Sequence, residues 1–225
     1  MTHEHLIEIK GLGKTYTIGK NRVTAIDHME FFIDDKEFVT IMGQSGSGKS
    51  TLLSIMGALN RPTRGKIFVD SLDLYSLSNE QRADFRSEYM GFIFQSFQLI
   101  PYLTVLENIK LPMAVTGLTK REKNRMAMEV IDRVGLEEKA DRLPDQLSGG
   151  EQERVAIARA IVNKPPIILA DEPTGNLDSE TAKEIMGLLK SLNQDGHTII
   201  MVTHNTEMEK FASRTIRVRD GKSYT

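Results

Sequence analysis

Apolar positions along this chain change their period several times. Over residues 6–10 and 23–33 they alternate or run in short stretches, and Phe38-Val39-Thr40-Ile41-Met42 predicts a further strand. A glycine-rich loop follows, then a helix from about 50 to about 60. Pro62 and Gly65 punctuate before a strand at 66–69. From 78 to 142 the pattern turns helical. Ser78-Asn79-Glu80-Gln81, Thr104-Val105-Leu106-Glu107 and Thr119-Lys120-Arg121-Glu122 each match the capping box that opens a helix. After the third, Ala127, Val130, Ile131 and Val134 share one helical face, and Gly135 suits its end. Residues 89–94 predict a strand within this block, ending at Gln95.

From 149 onward helices and strands alternate. A helix runs to about 163, Pro165-Pro166 break it, and 167–170 form a wholly apolar strand. A helix over about 179–193 carries Ile185, Leu188, Leu189 and Leu192 on one face, Gly196 ends it, and a strand spans 197–203. Wholly apolar strands between helices predict a mainly parallel sheet buried on both faces. The helical stretch at about 96–163 is too long for a crossover. The expected organisation is one α/β domain over 1–225, with a core and β subdomain at about 1–95 and 164–225 and an inserted helical lobe at about 96–163.

Composition narrows the class. At 225 residues, 40% hydrophobic and 27% charged, the chain reads as an ordinary globular domain. Its net charge of −2 offers no electrostatic case for nucleic acid or anionic lipid as a main partner. It has no cysteine, which excludes disulfides and fits a reducing compartment. No apolar run approaches the ~20 residues of a membrane span, and the N-terminus shows no secretion signal. The terminal His3 and His5 read as frayed rather than chelating. The expected location is cytoplasmic, peripheral on the inner face of the cell membrane, held there by another subunit.

The chemistry sits in five short stretches. Gly43-Gln44-Ser45-Gly46-Ser47-Gly48-Lys49-Ser50 fits the phosphate-cradling pattern G-x-x-x-x-G-K-S/T between a strand and a helix. Its glycines let backbone N–H groups crowd a triphosphate, Lys49 faces the β and γ phosphates, and Ser50 is a magnesium ligand. Gln44, Ser45, Ser47 and Thr51 complete the nucleotide-binding stretch. Asp171 and Glu172 end an apolar strand, where open α/β sheets bind ligands. Asp171 is expected to hold Mg²⁺ and Glu172 to polarise the attacking water. Gln95 alone would read as a solvated surface residue, but its place after Phe92-Ile93-Phe94 favours a contact to magnesium and water. His204, after Met201-Val202-Thr203, reads as a γ-phosphate donor or as the cap of the next helix. Ser148-Gly149-Gly150 opens a helix and offers a second anion site.

Together with Gly91-Phe92-Ile93-Phe94-Gln95, Leu111-Pro112, Leu147-Ser148-Gly149-Gly150-Glu151 and Asp171-Glu172-Pro173-Thr174-Gly175-Asn176-Leu177-Asp178, these stretches resemble the ATP-binding cassette ATPases of membrane transporters. The similarity runs along nearly the whole chain and is greatest to the branch of lipoprotein-releasing and macrolide-exporting ATPases. It implies a P-loop nucleotide hydrolase core with an N-terminal antiparallel β subdomain, ATP and Mg²⁺ as ligands, and Mg-dependent ATP hydrolysis. It further implies an ATP-dependent homodimer in which Ser148, Gly149 and Gly150 close over the ATP of a second copy and Asp178 crosses the interface. Tyr16 matches the position that stacks on adenine, although an aromatic there can also pack on its own sheet. An integral membrane permease is the implied second partner, and no nucleic acid is expected. The apolar stretch at 96–103 is read as the docking surface for a short permease helix. Glu151-Gln152-Glu153 departs from the family, which often carries glutamine there, and is expected to alter charge near the second site. A chain ending at Thr225 is read as carrying no appended regulatory domain. The competing function is a soluble cassette ATPase acting on DNA or ribosomes. A small-molecule kinase would leave Leu147-Ser148-Gly149-Gly150-Glu151 without a purpose.

Overall fold

The computed structural model describes residues 5–224. Two sheets divide the strands. In the first, β1 (Ile7–Ile18) and β2 (Asn21–Ile33) form an antiparallel hairpin, β4 (Arg64–Val69) pairs antiparallel on the other side of β1, and β5 (Leu72–Asp73) closes the edge. The second sheet takes the order β10 (Lys222–Tyr224), β9 (Arg214–Arg219), β3 (Phe38–Met42), β8 (Thr198–Thr203), β7 (Ile167–Asp171), β6 (Met90–Phe94). All its pairings from β9 to β6 are parallel, with β10 antiparallel at one edge.

Side chains alternate across each strand, so β7 feeds two cores. Ile168 and Ala170 join an apolar cluster with α3 (Val105–Lys110), α4 (Lys120–Arg133), α5 (Gly149–Ile161) and α6 (Ser179–Gln194), through Ile109, Ile131, Val155 and Leu189. Ile167 and Leu169 face the other way, into a second cluster that also holds Leu52 and Ile55 of α1 (Lys49–Met56) and Met29 and Ile67 of the first sheet. Every residue of β3 and β8 is buried, which is why their sequences lack polar alternation.

The three expected capping boxes form, at Ser78 before α2 (Asn79–Tyr89), at Thr104 and at Thr119, and Ser148 forms another with Glu151. The helix expected to reach about 60 stops at Met56. Ala58 turns left-handed at φ +55°, and the Tyr75 hydroxyl lies 2.5 Å from the Ile55 carbonyl and 2.6 Å from that of Asn60. The short strands β5, β9 and β10 add to the elements that the apolar pattern predicts. His5 is not frayed: its ring stacks on Phe32 with centroids 3.7 Å apart, and Nδ1 lies 2.5 Å from Asp34 Oδ1. His3 lies outside the described residues. Among those residues no helix is long and apolar enough to cross a membrane.

Candidate functional site

The parallel register puts four strand ends on one edge. Met42 pairs with Thr203, Val202 with Asp171, and Asp171 with Phe94, so the residues that follow β3, β8, β7 and β6 all emerge together. Those residues are the 43–48 loop, His204, Glu172 and Gln95.

The loop is pressed against the strands behind it. A Cβ on Gly43 would sit 2.1 Å from the Val218 carbonyl oxygen, and one on Gly48, at φ +100°, would sit 2.2 Å from that of Ala25. Only glycine fits at either place. Gly221 braces the rear, its N–H donating to the Ser47 carbonyl at 3.2 Å while its own carbonyl accepts from Asp27 N–H at 2.7 Å. Ser47 Oγ is buried without a partner. Lys49 is 5% exposed, and its ammonium donates to the carbonyls of Gly43 (2.8 Å) and Gln44 (2.9 Å). The charge is therefore held inside the concave loop, beside the first turn of α1. A cradle lined by glycine backbone, an orphaned hydroxyl and a buried cation fits a polyphosphate. Thr51 is half-buried in that first turn.

Ser50 Oγ donates to Asp171 Oδ1 at 3.2 Å, joining the loop to β7. Burial raises the Asp171 pKa and the neighbouring Glu172 charge adds to this, whereas the Ser50 hydrogen bond and Lys49 pull it down. Two hard oxygen donors facing each other beside a buried lysine form a donor set suited to a magnesium ion.

Glu172 has φ +49°, a left-handed conformation costly for a non-glycine residue, and its N–H donates to the Val202 carbonyl at 2.9 Å. That turn aims its carboxylate along the edge, where Oε2 meets His204 Nδ1 at 2.7 Å. Glu172 is the shielded member of the pair and His204 the exposed one. His204 does not cap the following turn; Asn205 does, accepting from Glu207 N–H. A methyl on Gly175 would lie 3.2 Å from Gln95 Nε2 and 3.4 Å from Glu172 Oε2, so the amide and the carboxylate flank one point. Asn176, to which its motif alone assigns no separate role, holds Gln95 in place: its Nδ2 donates to the Gln95 carbonyl at 2.8 Å.

The second cluster is separate. Among the described residues no hydrogen bond or ion pair joins 148–150 to 43–51. Ser148 caps α5, and Gly150 is crowded by α6, since a Cβ there would sit 2.5 Å from Thr181 Cγ2. Asp178 caps α6 through Glu180 N–H and Thr181 N–H, both at 3.0 Å, and its Oδ2 accepts from the Thr181 hydroxyl at 2.6 Å. These bonds hold its pKa down, and the side chain is exposed. Tyr16 lies on β1 opposite Val23, two residues from the Ala25 that backs Gly48, with Lys14 Nζ 4.9 Å from its ring centre.

The two acids of Glu151-Gln152-Glu153 behave differently. Glu151 closes the capping box, pairs with Lys139, and is held below the usual carboxylate range by those bonds. Glu153 is wholly buried with both carboxylate oxygens unpartnered, and burial pushes its pKa up to about 8. The expected change of surface charge therefore comes from Glu151 alone.

A glycine loop leading from a central parallel strand into a helix, with an acid on a nearby strand end, defines a P-loop nucleotide hydrolase. The family described as ABC transporter matches residues 26–175. YvrO of Bacillus subtilis, named as an uncharacterized ABC transporter ATP-binding protein, is 43% identical over 217 residues, 96% of this chain and 95% of that protein. The cassette MJ0796 of Methanocaldococcus jannaschii is 46% identical, covering 96% of this chain and 94% of that one. Its dimeric structure aligns with a TM-score of 0.90 over 97% of both chains, and a further structure of it is described as a post-hydrolysis state bound to ADP and Pi. The macrolide export ATP-binding/permease protein MacB of Vibrio parahaemolyticus is 42% identical over 96% of this chain, which spans 33% of that protein. The chain belongs to the ABC transporter family. It is an ATP-binding, ATP-hydrolysing cassette, and its transporter relatives set aside the alternative of a DNA- or ribosome-acting ATPase.

Proposed function

We propose that this chain hydrolyses Mg-ATP within a two-fold homodimer and drives an integral membrane permease of the lipoprotein-releasing or drug- and peptide-exporting type. The observation that carries the proposal is the pairing of Ser50 with Asp171 and of Glu172 with His204 on one sheet edge, beside a buried Lys49. In this reading Lys49 and the 43–48 loop bind the phosphates, with Gln44, Ser45, Ser47 and Thr51 completing the cradle and Tyr16 stacking on adenine. Ser50, Asp171 and Gln95 would hold a magnesium ion, which would supply positive charge to offset that of the phosphates. Glu172 takes the proton of the attacking water, and His204 donates to the γ-phosphate. The 2.7 Å contact orients the two side chains toward a common point.

Ser148, Gly149, Gly150 and Asp178 lie together at the starts of α5 and α6, apart from the first cluster. A second copy, turned antiparallel, would bring them over the first copy's ATP. The dimeric MJ0796 structure supports this arrangement. The core at 1–95 and 164–225 and the helical lobe at 96–163 are proposed as the parts that approach on closure. The test is light scattering of Glu172→Gln with ATP, which should give a dimer. A monomer at saturating ATP and micromolar protein overturns the assembly.

Peripheral placement on the inner face of the membrane follows from the permease. Its docking place is a groove of about 330 Å³ whose wall includes Phe92, Phe94, Leu111, Pro112, Val115 and Arg159. Val115 is 81% exposed and Tyr102 77%. A short amphipathic helix fits such a groove. The 96–103 stretch contributes only in part, because Leu99 packs onto the helical core and the Ile100 backbone is tied to Asn108.

A further inference from the structure

Gln95 is followed by a turn that one side chain holds from outside. Phe97 and Gln98 are consecutive non-glycine residues in the left-handed region, at φ +57° and +49°. Their local bonds are short-range, Phe97 N–H to the Phe94 carbonyl (2.9 Å) and Gln98 N–H to that of Ser96 (2.5 Å). Bulky residues do not adopt that conformation twice in succession without support. The support is Arg159 of α5, whose guanidinium donates to the Gln98 carbonyl at 2.5 Å and to the Phe97 carbonyl at 2.7 Å.

Arg159 also forms part of the groove wall, and it stands on the helix that opens with Ser148-Gly149-Gly150. The wholly buried Glu153 lies within reach of its field, and Arg159 is the cation that acts on that carboxyl. The Glu153 oxygens nonetheless have no hydrogen-bond partner. The guanidinium's directed bonds go to the turn, not to the acid on its own helix.

We propose that Arg159 is the positioning residue for Gln95: by clamping the Phe97 and Gln98 carbonyls it fixes where the Gln95 side chain meets the nucleotide edge. It thereby joins the groove and the start of α5 to one point of the active site. This rests on the reading of Gln95 as a contact to magnesium and the attacking water. The bidentate fork is what the role demands, because a lysine presents a point charge that cannot bridge two carbonyls with the same fixed geometry.

The experiment measures steady-state ATPase kinetics of the full chain for Gln95→Ala, Arg159→Lys and the double variant, with melting temperature as the check on folding. Arg159→Lys should lower kcat by about 10- to 100-fold, the effect of a misplaced reacting group, while KM for ATP stays within about twofold because the phosphate loop is untouched. In the Gln95→Ala background the same substitution should cost nothing further. Gln98→Gly added to Arg159→Lys should recover most of the lost kcat, since glycine holds the left-handed turn without a clamp. Phe97→Pro breaks the turn while leaving Arg159 in place, and should reproduce the kcat loss even if the Arg159 variants do not fold. Multiplicative losses in the double variant, absence of rescue by Gln98→Gly, or full activity of Phe97→Pro overturns the proposal. A silent Gln95→Ala overturns instead the reading on which it rests, and the proposal with it.

Discussion

Replacing Glu153 with glutamine exchanges a buried titratable group for a neutral one of almost the same shape. Glu153 is 0% exposed, its oxygens have no partner, and burial raises its pKa from 4.5 to about 8 against a smaller opposing effect of Arg159. Below about pH 4.5 the carboxyl is protonated in the folded and unfolded chain alike, and the two proteins should be about equally stable. Between 4.5 and about 8 only the unfolded chain releases the proton. The native state then binds more protons than the unfolded one, so wild-type stability falls as pH rises. Glutamine has no proton to release. The variant's advantage should therefore grow by about 1.4 kcal/mol per pH unit and level off above about pH 8, with a ceiling of about 5 kcal/mol. Urea unfolding of both proteins in parallel, from about pH 5.5 to about 8.5, reads the difference directly and cancels every titration they share. A gap that stays constant over that range refutes the reasoning, because it means that Glu153 titrates alike in the folded and unfolded states.

Other substitutions separate the roles of neighbouring groups. Glu172→Gln should lower turnover by about 10²–10⁴ and leave ATP binding intact, whereas Lys49→Ala should weaken binding itself; equal losses of affinity by calorimetry would contradict that division. Tyr102→Ser, at a side chain 77% exposed, should leave the melting temperature unchanged and reduce permease capture in a pull-down. Leu99→Asp should instead lower the melting temperature, because Leu99 packs on the helical core. Gly150→Ala should cost about 1–3 kcal/mol in urea unfolding by overpacking. Thr181→Ser should relieve most of that cost, since it removes the Cγ2 that a new methyl would strike 2.5 Å away and keeps a hydroxyl for Asp178.

What could be read from the sequence is what is local. The strand at 167–170 announces itself by four apolar residues in a row, and the three capping boxes by their spacing alone. β9 lacks an apolar run because Arg214-Thr215-Ile216-Arg217-Val218-Arg219 places charge at three of six positions, as a strand with one wet side does. The Asp220-Gly221 pair that turns it into β10 sits at φ +49° and +74°, a short hairpin signal legible in the sequence. The motif residues of the site were legible for the same reason as the apolar strand: each is fixed by its immediate neighbours. Their convergence follows from register, with Met42, Thr203, Asp171 and Phe94 ending nearly level, and register is a property of the sheet as a whole. Arg159 shows where local reading stops. Nothing near position 159 refers to Phe97 or Gln98, which lie on the far side of the helical region in sequence. The need for a clamp is visible only once two consecutive left-handed residues are seen there. Glu153 inverts the usual inference, since an acid beside a phosphate-binding motif reads as surface charge until its burial is known. In both cases the sequence pattern names the residue, and the packing around it decides which of its chemical properties is used.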